Sequence, residues 1–209
     1  MCTSIINKKS NKISTQAQRL AKINQLGQII FHANDLANLW QIDKANTLRT
    51  TLKRYAQSGL LYRIYRGFYA LKPVDKLEPR LLGIKALHEF AYVSLETVLA
   101  DAGVIFQAGR RLTLVSSKSK NFSIGHYQYR SRKLADRYLF NPAGVGEANG
   151  VKRADVNRAV ADMLYYNPKF YFDAGRLINW RQVKKIQLAV GYPLTYERYD
   201  FTKPKRSQT

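Results

Sequence analysis

Apolar residues recur with helical spacing over residues 44–57, and this is the clearest pattern in the chain. Steps of three and four residues place four apolar side chains on one face of a helix, which we expect to be buried: Ala45, Leu48, Leu52 and Tyr55. Asp43 is the expected N-cap, and Gly59 is expected to end the helix. The pattern therefore predicts a surface helix from Lys44 to Gln57 with a polar outer face.

Weaker patterns predict the elements on either side of this helix. Before it, helices are expected over 15–26 and 34–40, with a short strand over 28–31 between them. After it, residues 60–64 and 67–71 form two predicted strands joined by a tight turn. This succession of helix, strand, helix, turn, helix and hairpin is the order of a winged helix-turn-helix.

The polar side chains of the predicted 44–57 helix include no carboxylate. Asn and Gln recognise adenine edges, Arg and Lys recognise guanine edges, and Thr contacts phosphates or a thymine methyl group. A helix face that is merely solvated usually mixes both charge signs, so this face indicates contact with DNA. The expected contacts in the helix and hairpin are Lys44, Asn46, Thr47, Arg49, Thr50, Lys53, Arg54, Arg63 and Arg66.

The charge of the whole chain agrees with a polyanionic partner. There are 35 Lys and Arg against 14 Asp and Glu, which gives a formal net charge of +21. A basic arm over residues 1–13 is expected to order only on DNA and carries Lys8, Lys9 and Lys12. A second basic patch has three open interpretations, namely DNA backbone, an acidic protein or RNA, and a solvated face: Arg110, Arg111, Lys118, Lys120, Arg130, Arg132 and Lys133.

The winged helix-turn-helix is expected over residues 14–73. A second, mixed α/β domain is predicted over residues 74–192, followed by a loose tail over 193–209. The fold class is thus α+β. The second domain is predicted to contain helices over 80–90, 95–102 with Ser94 as N-cap, 155–166, 173–180 and 180–190. Its predicted strands are 111–116 and 122–129, and residues 141–150 are expected to be a loop or hairpin tip.

Three segments resemble those of the AbiEi-type antitoxins of type IV toxin–antitoxin systems. The run SGLLYRIYRGFYAL is similar to the G-x-L-x-R-v-x-R-G-x-Y hairpin of that family. The run YVSLETVL, followed by GVI, is similar to its Y-[IV]-S-L-E-S-A-L and G-[LV]-I segment. The run VKRADVNRAVADMLY is similar to its v-R-I-A-x-P-x-[RK]-A-[LI]-x-D-[LM]-L segment, but departs from it at Arg153 and at the usual Pro. The resemblance covers roughly residues 20 to 190.

This resemblance implies two tasks. Proteins of the family repress their own promoter through the winged helix, and their C-terminal domain counters a nucleotidyltransferase-like toxin encoded beside them. We therefore expect double-stranded DNA, with inverted repeats in the promoter, and such a toxin as partners. The candidates for countering the toxin are Ser94, Glu96, Asp162, Tyr165 and Tyr166.

No constellation of catalytic or metal-binding residues stands out in the sequence. The three His are scattered without metal-ligand spacing, and no Gly-x-Ser-x-Gly elbow occurs. We expect no enzymatic activity, no cofactor and no metal. The N-terminus lacks a secretory signal and no run of 18 apolar residues occurs, so a cytoplasmic protein without a membrane span is expected.

Two alternative functions stay open at this point. One is a transcriptional regulator without a toxin partner, and a neighbouring nucleotidyltransferase gene would separate it from the antitoxin. The other is a DNA-targeting subunit of a DNA-processing system, which metal-dependent DNA cleavage would support.

Overall fold

The computed structural model describes residues 15–107 and 109–195. The predicted arm with Lys8, Lys9 and Lys12, and the tail beyond residue 195, lie outside the described residues. The chain divides into two compact units, Met1–Pro73 and Val74–Thr209, each of which is described by itself. In the described residues, eight α-helices and two sheets make the protein mixed α/β.

Unit 1 contains three helices and a three-stranded antiparallel sheet. In chain order the elements are α1 (Gln16–Gln25), β1 (Ile30–His32), α2 (Ala33–Trp40), α3 (Ala45–Gln57), β2 (Tyr62–Tyr65) and β3 (Phe68–Ala70). The strands lie in the order β1-β3-β2. The core side chains come from all three helices, from β1 and β3, and from the residue before β2: Ile23, Phe31, Leu36, Trp40, Leu52, Tyr55, Leu61 and Tyr69.

The ends of these helices follow from local chemistry. The hydroxyl of Thr15 and the side chain of Gln18 form a capping box at the start of α1. Gln41 ends α2 in the left-handed conformation, at φ 55°, and so makes the tight turn before α3. The expected N-cap of α3 was wrong by one residue, because Lys44 occupies that position and makes no side-chain cap hydrogen bond.

Unit 2 is built on a six-stranded mixed sheet. Its strands are β4 (Ala91–Val93), β5 (Leu112–Ser116), β6 (Lys120–Ile124), β7 (Tyr127–Lys133), β8 (Val145–Ala148) and β9 (Val151–Ala154). They lie in the order β6-β7-β5-β4-β9-β8. The pairs β5–β7 and β4–β9 are parallel and the other pairs are antiparallel.

Helices cover both faces of this sheet. They are α4 (Pro79–Leu87), α5 (Leu95–Asp101), α6 (Asp136–Leu139), α7 (Val156–Tyr166) and α8 (Trp180–Val190). Gly83 of α4 packs against Leu114 and Tyr129, where a Cβ would come within 2.5 Å of the Tyr129 ring. Leu114 and its neighbour Val115 point to opposite faces of the sheet. Tyr92 lies opposite Val115 on β4, and its hydroxyl donates a hydrogen bond to Asp162 of α7. Therefore α4 and α7 lie on opposite faces.

Three predictions for unit 2 were wrong in detail. The strand expected over 122–129 is the hairpin β6–β7, which reverses at Gly125 with φ 58°. The 80–90 helix ends at Leu87, because His88 adopts the left-handed conformation at φ 54°. The 173–180 helix is only a 3₁₀ turn, Gly175–Leu177.

Across the described ranges, no helix is both long and apolar enough to cross a bilayer.

The segment 141–150 contains β8 and the turn into β9. Asn149 and Gly150 occupy the turn with φ values of 52° and 76°. Two successive positive φ angles are required in a type I′ hairpin, and Asn-Gly is the pair that adopts them most readily. The hairpin prediction for this segment is therefore confirmed, while the strand before the turn was missed.

Candidate nucleic-acid interface

The helix α3 presents one face to the core of unit 1 and the opposite face to solvent. Leu52 and Tyr55 are buried, and Leu48 is half-buried against them. Ala45, which was expected to be buried with them, is exposed instead. At about 100° per residue, the outward direction runs along four exposed polar side chains: Asn46, Thr50, Lys53 and Gln57.

One flank of α3 lines a cleft of about 860 Å³ against the β2–β3 hairpin and the first turn of α2. Four basic side chains from two elements line this cleft: Arg49, Lys53, Arg63 and Arg66. No Asp or Glu lines it, and none of the four basic groups forms an ion pair within the described part of the chain. We call this the α3–hairpin cleft. Its electrostatic character suits a polyanion.

The hairpin is held beside α2 by a short backbone link. Arg66 and Gly67 form a two-residue turn, in which Gly67 has φ 83°. The carbonyl of Gly67 accepts a hydrogen bond of 2.8 Å from the amide of Ala33, the first residue of α2. A bulge between Arg63 and Tyr65 shifts the register of β2 on β3. These features fix the turn, and with it Arg66, next to α3.

The structure sorts the predicted DNA contacts into two groups. Arg49, Lys53, Arg63 and Arg66 line the α3–hairpin cleft. The remaining five are exposed but lie elsewhere on or next to α3: Lys44, Asn46, Thr47, Thr50 and Arg54. About 140° separates Arg54 from Arg49 around the helix, so these two arginines occupy opposite flanks.

Sequence reasoning missed one polar residue of the cleft. Asn34, in the first turn of α2, is exposed and lines the cleft together with Gln57 of α3. The helical pattern of 34–40 gave no signal for Asn34, because it lines the cleft only once the hairpin has folded back onto the start of α2.

The seven residues of the predicted second basic patch differ in their surroundings. Lys118 is ion-paired with Glu89 at 3.6 Å, and Arg110 and Arg111 precede β5 in an exposed stretch. The other four line a cleft of about 410 Å³ on β6 and β7, which we call the β6–β7 cleft: Lys120, Arg130, Arg132 and Lys133. Arg132 stacks on Tyr166 with 3.9 Å between the guanidinium carbon and the ring centroid.

A buried polar network lies under the sheet of unit 2. Arg158 and Asp162 are both 0% exposed, and Nε of Arg158 donates to Oδ1 of Asp162 at 2.7 Å. The other four guanidinium hydrogens go to three backbone carbonyls and to the Tyr92 hydroxyl, at 2.8 to 3.1 Å. Asp162 also accepts from Tyr92, Ser94 and Tyr192. Every donor of the arginine is therefore satisfied.

The ionisation of this network follows from its burial. Burial raises the pKa of Tyr92 and Tyr192 well above the ordinary value, and the charge of Asp162 raises it further. Burial alone would lower the pKa of Arg158, but Asp162 and the two tyrosines raise it overall. The network therefore keeps the tyrosines neutral around the Arg158–Asp162 ion pair.

The candidates for countering a toxin are placed differently from one another. Ser94 and Asp162 are 0% exposed and bond to each other at 2.8 Å, so they cannot touch a partner in this structure. Ser94 occupies the N-cap of α5, as expected, but its hydroxyl is used for Asp162 and caps nothing. Glu96 is half-buried, and its Oε2 is buried without a hydrogen-bond partner among the described residues. Tyr165 and Tyr166 are also half-buried.

An exposed aromatic surface lies close to these residues in sequence. Tyr171 is 76% exposed and Phe106 is 73% exposed. The amide of Phe106 donates to the carboxylate of Asp173 at 2.8 Å, which joins the two loops that carry these rings.

No cluster of three or more metal-ligating side chains is found in residues 15–107 and 109–195.

No family model matches the chain, and no curated protein matches it. Among solved structures, the chain is similar to the crystal structure of the RV2827C protein from Mycobacterium tuberculosis. The two share 10% sequence identity with a TM-score of 0.49, over 88% of this chain and 74% of that chain. A similarity at this level carries no conclusion about what this chain binds.

Proposed function

We propose that the protein is a DNA-binding repressor, in which unit 1 acts as a winged helix-turn-helix. In this proposal α3 enters the major groove, and the β2–β3 hairpin is the wing that contacts the adjacent backbone. The observation that carries the proposal is the α3–hairpin cleft, where four basic side chains from a helix and a hairpin converge without a carboxylate.

The division of labour follows from where each side chain lies. Asn46, Thr50 and Lys53 stand on the outward face of α3 and would meet base edges, where a good bidentate contact discriminates by about 1–3 kcal/mol. Arg49, on the flank of α3 that lines the cleft, would enter the major groove with them. Arg63 and Arg66 belong to the hairpin and would contact phosphates or the minor groove. Arg54 and Lys44 lie outside the cleft and would contact the backbone on the far side of α3.

A face that is only solvated is the competing explanation for these polar residues. Such faces usually mix charges to gain pairs between neighbouring turns. In unit 2 basic groups also find acidic partners on other elements, as where Arg80 of α4 and Arg153 of β9 share Asp101 of α5 at 2.7 and 3.1 Å. In unit 1 the basic groups of the cleft have no such partner in the described residues, which favours an external anion.

We further propose that the repressed promoter is the protein's own and that unit 2 counters a nucleotidyltransferase-like toxin encoded beside it. The resemblance to the AbiEi-type antitoxins is the basis of this second proposal. Its support is that the two unit 2 segments that resemble the family meet physically. Tyr92 and Ser94 of one segment bond to Asp162 of the other, which is itself paired with Arg158. The matching residues thus build the centre of unit 2.

If the toxin is bound directly, we place the contact away from Ser94 and Asp162. The exposed rings of Phe106 and Tyr171 offer an aromatic surface of the kind that forms interface centres. A regulator without a toxin stays the alternative, and the presence of a nucleotidyltransferase gene beside this one separates the two.

The first experiment is a gel shift with the DNA upstream of the gene, with unrelated duplex as competitor and salt varied. A discrete complex that resists the competitor is expected, with affinity falling steeply as salt rises because each neutralised phosphate releases counterions. A smeared complex that the competitor removes would mean that charge alone is responsible and would overturn the proposal.

Variants then locate the activity. Arg49→Ala combined with Lys53→Ala should abolish the specific complex, while the matched control Arg181→Ala combined with Lys185→Ala, on α8 of unit 2, should leave it intact. Growth of cells that carry the neighbouring gene measures toxin protection. The Arg49 and Lys53 double variant should keep that protection if the two tasks are separate, and loss of both would contradict the division.

A further inference from the structure

The β6–β7 cleft has no role in the proposed repressor, yet it holds basic side chains that no acidic residue compensates. Its four basic groups are Lys120, Arg130, Arg132 and Lys133. None of them forms an ion pair in the described residues, and no Asp or Glu lines the cleft. Elsewhere in the same unit basic side chains do find acids, as Lys152 does with Glu147 and Lys118 with Glu89.

The guanidinium of Arg132 is held in place by Tyr166. It stacks on the ring of Tyr166, 3.9 Å from the centroid. Tyr166 is itself fixed, because its hydroxyl donates to the carbonyl of Lys133 at 2.7 Å. Stacking occupies the face of a guanidinium and leaves the N–H donors at its edge available. Arg132 is thereby held as a two-pronged donor before any ligand arrives.

The loop before β6 is tied down in the same way. The hydroxyls of Ser116 and Ser131, both buried, are hydrogen-bonded to each other at 2.7 Å, and the one that accepts can donate its own hydrogen to the carbonyl of Lys118 at 3.0 Å. The hydroxyl oxygen of Ser119 accepts from the amide of Lys133 at 3.0 Å, and its own hydrogen stays available. The polar wall beside the basic groups is therefore preorganised, which a merely solvated patch does not require.

The arrangement of the donors indicates the class of anion. Arg130 and Arg132 lie two residues apart on one face of β7, and Asn121 of β6 lies opposite Arg130, so their donors converge on one cleft of about 410 Å³. Two neighbouring guanidinium groups, one of them held by stacking, suit adjacent phosphates of a single molecule. We propose that the β6–β7 cleft binds the phosphate groups of a small polyphosphate, such as a nucleoside triphosphate.

Each lining group has a definite task in this arrangement. Arg132 would hold one phosphate through two parallel hydrogen bonds, and Arg130, two residues away on the same face of β7, would hold the next. Lys120 and Lys133 supply point charges at the rim. Asn121, opposite Arg130 on β6, and Ser119 offer neutral donors and acceptors for the rest of the ligand.

The test is an equilibrium binding measurement on the full chain. The probes are ATP, as a representative nucleoside triphosphate, and inorganic tripolyphosphate, which lacks the nucleoside. A duplex of unrelated sequence is the third probe. We expect ATP to bind and tripolyphosphate to compete with it. Arg132→Gln and Arg130→Gln should each raise the dissociation constant for ATP about tenfold, the scale of one lost charged hydrogen bond. Arg181→Gln removes the same charge on α8 and should change nothing.

Two outcomes would overturn the proposal. One is that ATP does not bind, or binds with the same constant to Arg130→Gln and Arg132→Gln as to the wild type. The other is that these variants weaken only the duplex, which would make the cleft a contact for nucleic-acid backbone. The operator gel shift on the same variants keeps this result distinct from the repressor proposal, which depends on the α3–hairpin cleft.

Discussion

Arginines in the two units show opposite ways of using the same side chain. Arg158 of unit 2 is 0% exposed, and all five of its N–H donors have partners inside the protein. Arg63 and Arg66 of unit 1 are exposed, line an open cleft and have no carboxylate within the described residues to pair with. Arg158 therefore needs no ligand, whereas the N–H donors of Arg63 and Arg66 are available to an anion from outside.

The comparison gives a physical criterion for function in this molecule. A buried charge is tolerated only when its partners replace the lost water, so a fully satisfied arginine indicates a structural role. An exposed arginine costs little to keep in water, so its position matters only when several converge on one concave surface. Net charge does not make this distinction, because both units are strongly basic.

The largest effect should come from breaking the buried pair. Arg158→Met leaves Asp162 buried without its counter-charge and should destabilise unit 2 by about 3–5 kcal/mol. Hydrogen exchange resolved to peptides is the measurement, because it separates β4 and α7 of unit 2 from α3 of unit 1. Exchange should accelerate in β4 and α7 while α3 keeps its protection.

Two further variants make that result specific. Arg153→Met removes a half-buried arginine paired with Asp101 at the surface and should cost less than about 1 kcal/mol. Adding Asp162→Leu to Arg158→Met removes the orphaned charge and should recover part of the lost stability. Equal effects of Arg158→Met and Arg153→Met would show that the buried network is not what holds unit 2 together.

Alkaline pH should weaken the same network more gradually. The folded-state pKa values of Tyr92 and Tyr192 lie above the ordinary 10.0, first through burial and then through Asp162. Folding therefore favours the protonated tyrosines, so their contribution is complete below pH 10 and is lost as pH rises above it. At pH 11, one unit above the ordinary pKa, each tyrosine should lower the free energy of unfolding by about 1.4 kcal/mol.

Denaturant unfolding at pH 8, 10 and 11 measures this loss. Tyr192→Phe should start from a lower stability, because it lacks the 2.7 Å bond to Asp162, but should lose less as pH rises. The exposed Tyr171 is the matched control, and Tyr171→Phe should follow the wild-type pH dependence. A wild-type stability that stays level from pH 10 to 11 would contradict the assignment.

The open cleft of unit 1 should respond to salt instead. Arg63→Ala and Arg66→Ala each remove one proposed phosphate contact and should weaken operator binding and unrelated duplex alike. The slope of log affinity against log salt should become shallower by about 1 for each. Gel shifts at four salt concentrations measure it. A loss of affinity for the operator alone, with an unchanged slope, would place these side chains at bases and not at phosphates.

Local pattern was sufficient for much of unit 1 and less so for unit 2. The apolar spacing of α3, the turn at Gln41 and the hairpin around Arg66 are all short-range features that three or four neighbouring residues determine. The Asp155 cap and the extent of α7 are likewise local. The β6–β7 hairpin was not predicted because an alternating pattern runs through residues 122–129, whereas the positive φ of Gly125 makes a turn there.

The sites depended on long-range contacts that no window of sequence contains. Asp162 was a candidate for countering a toxin, yet partners 30 to 70 positions away bury it completely. The β6–β7 cleft requires Tyr166, at the end of α7, to reach the strand that carries Arg132. In both cases the residues could be named as candidates from the sequence, but only packing showed whether they face solvent.

The smallest expected effect is the sharpest test of the α3–hairpin cleft, because it concerns a residue that sequence pattern did not single out. Asn34 lines the cleft from the first turn of α2, and Asn38 is exposed one turn later without lining it. Asn34→Ala should weaken operator binding about fivefold, as the loss of one ordinary hydrogen bond does, and Asn38→Ala should not. Titration of the gel shift resolves a difference of this size. Equal effects would mean that the DNA touches α2 along its length, and no effect of either would confine the contact to α3 and the hairpin.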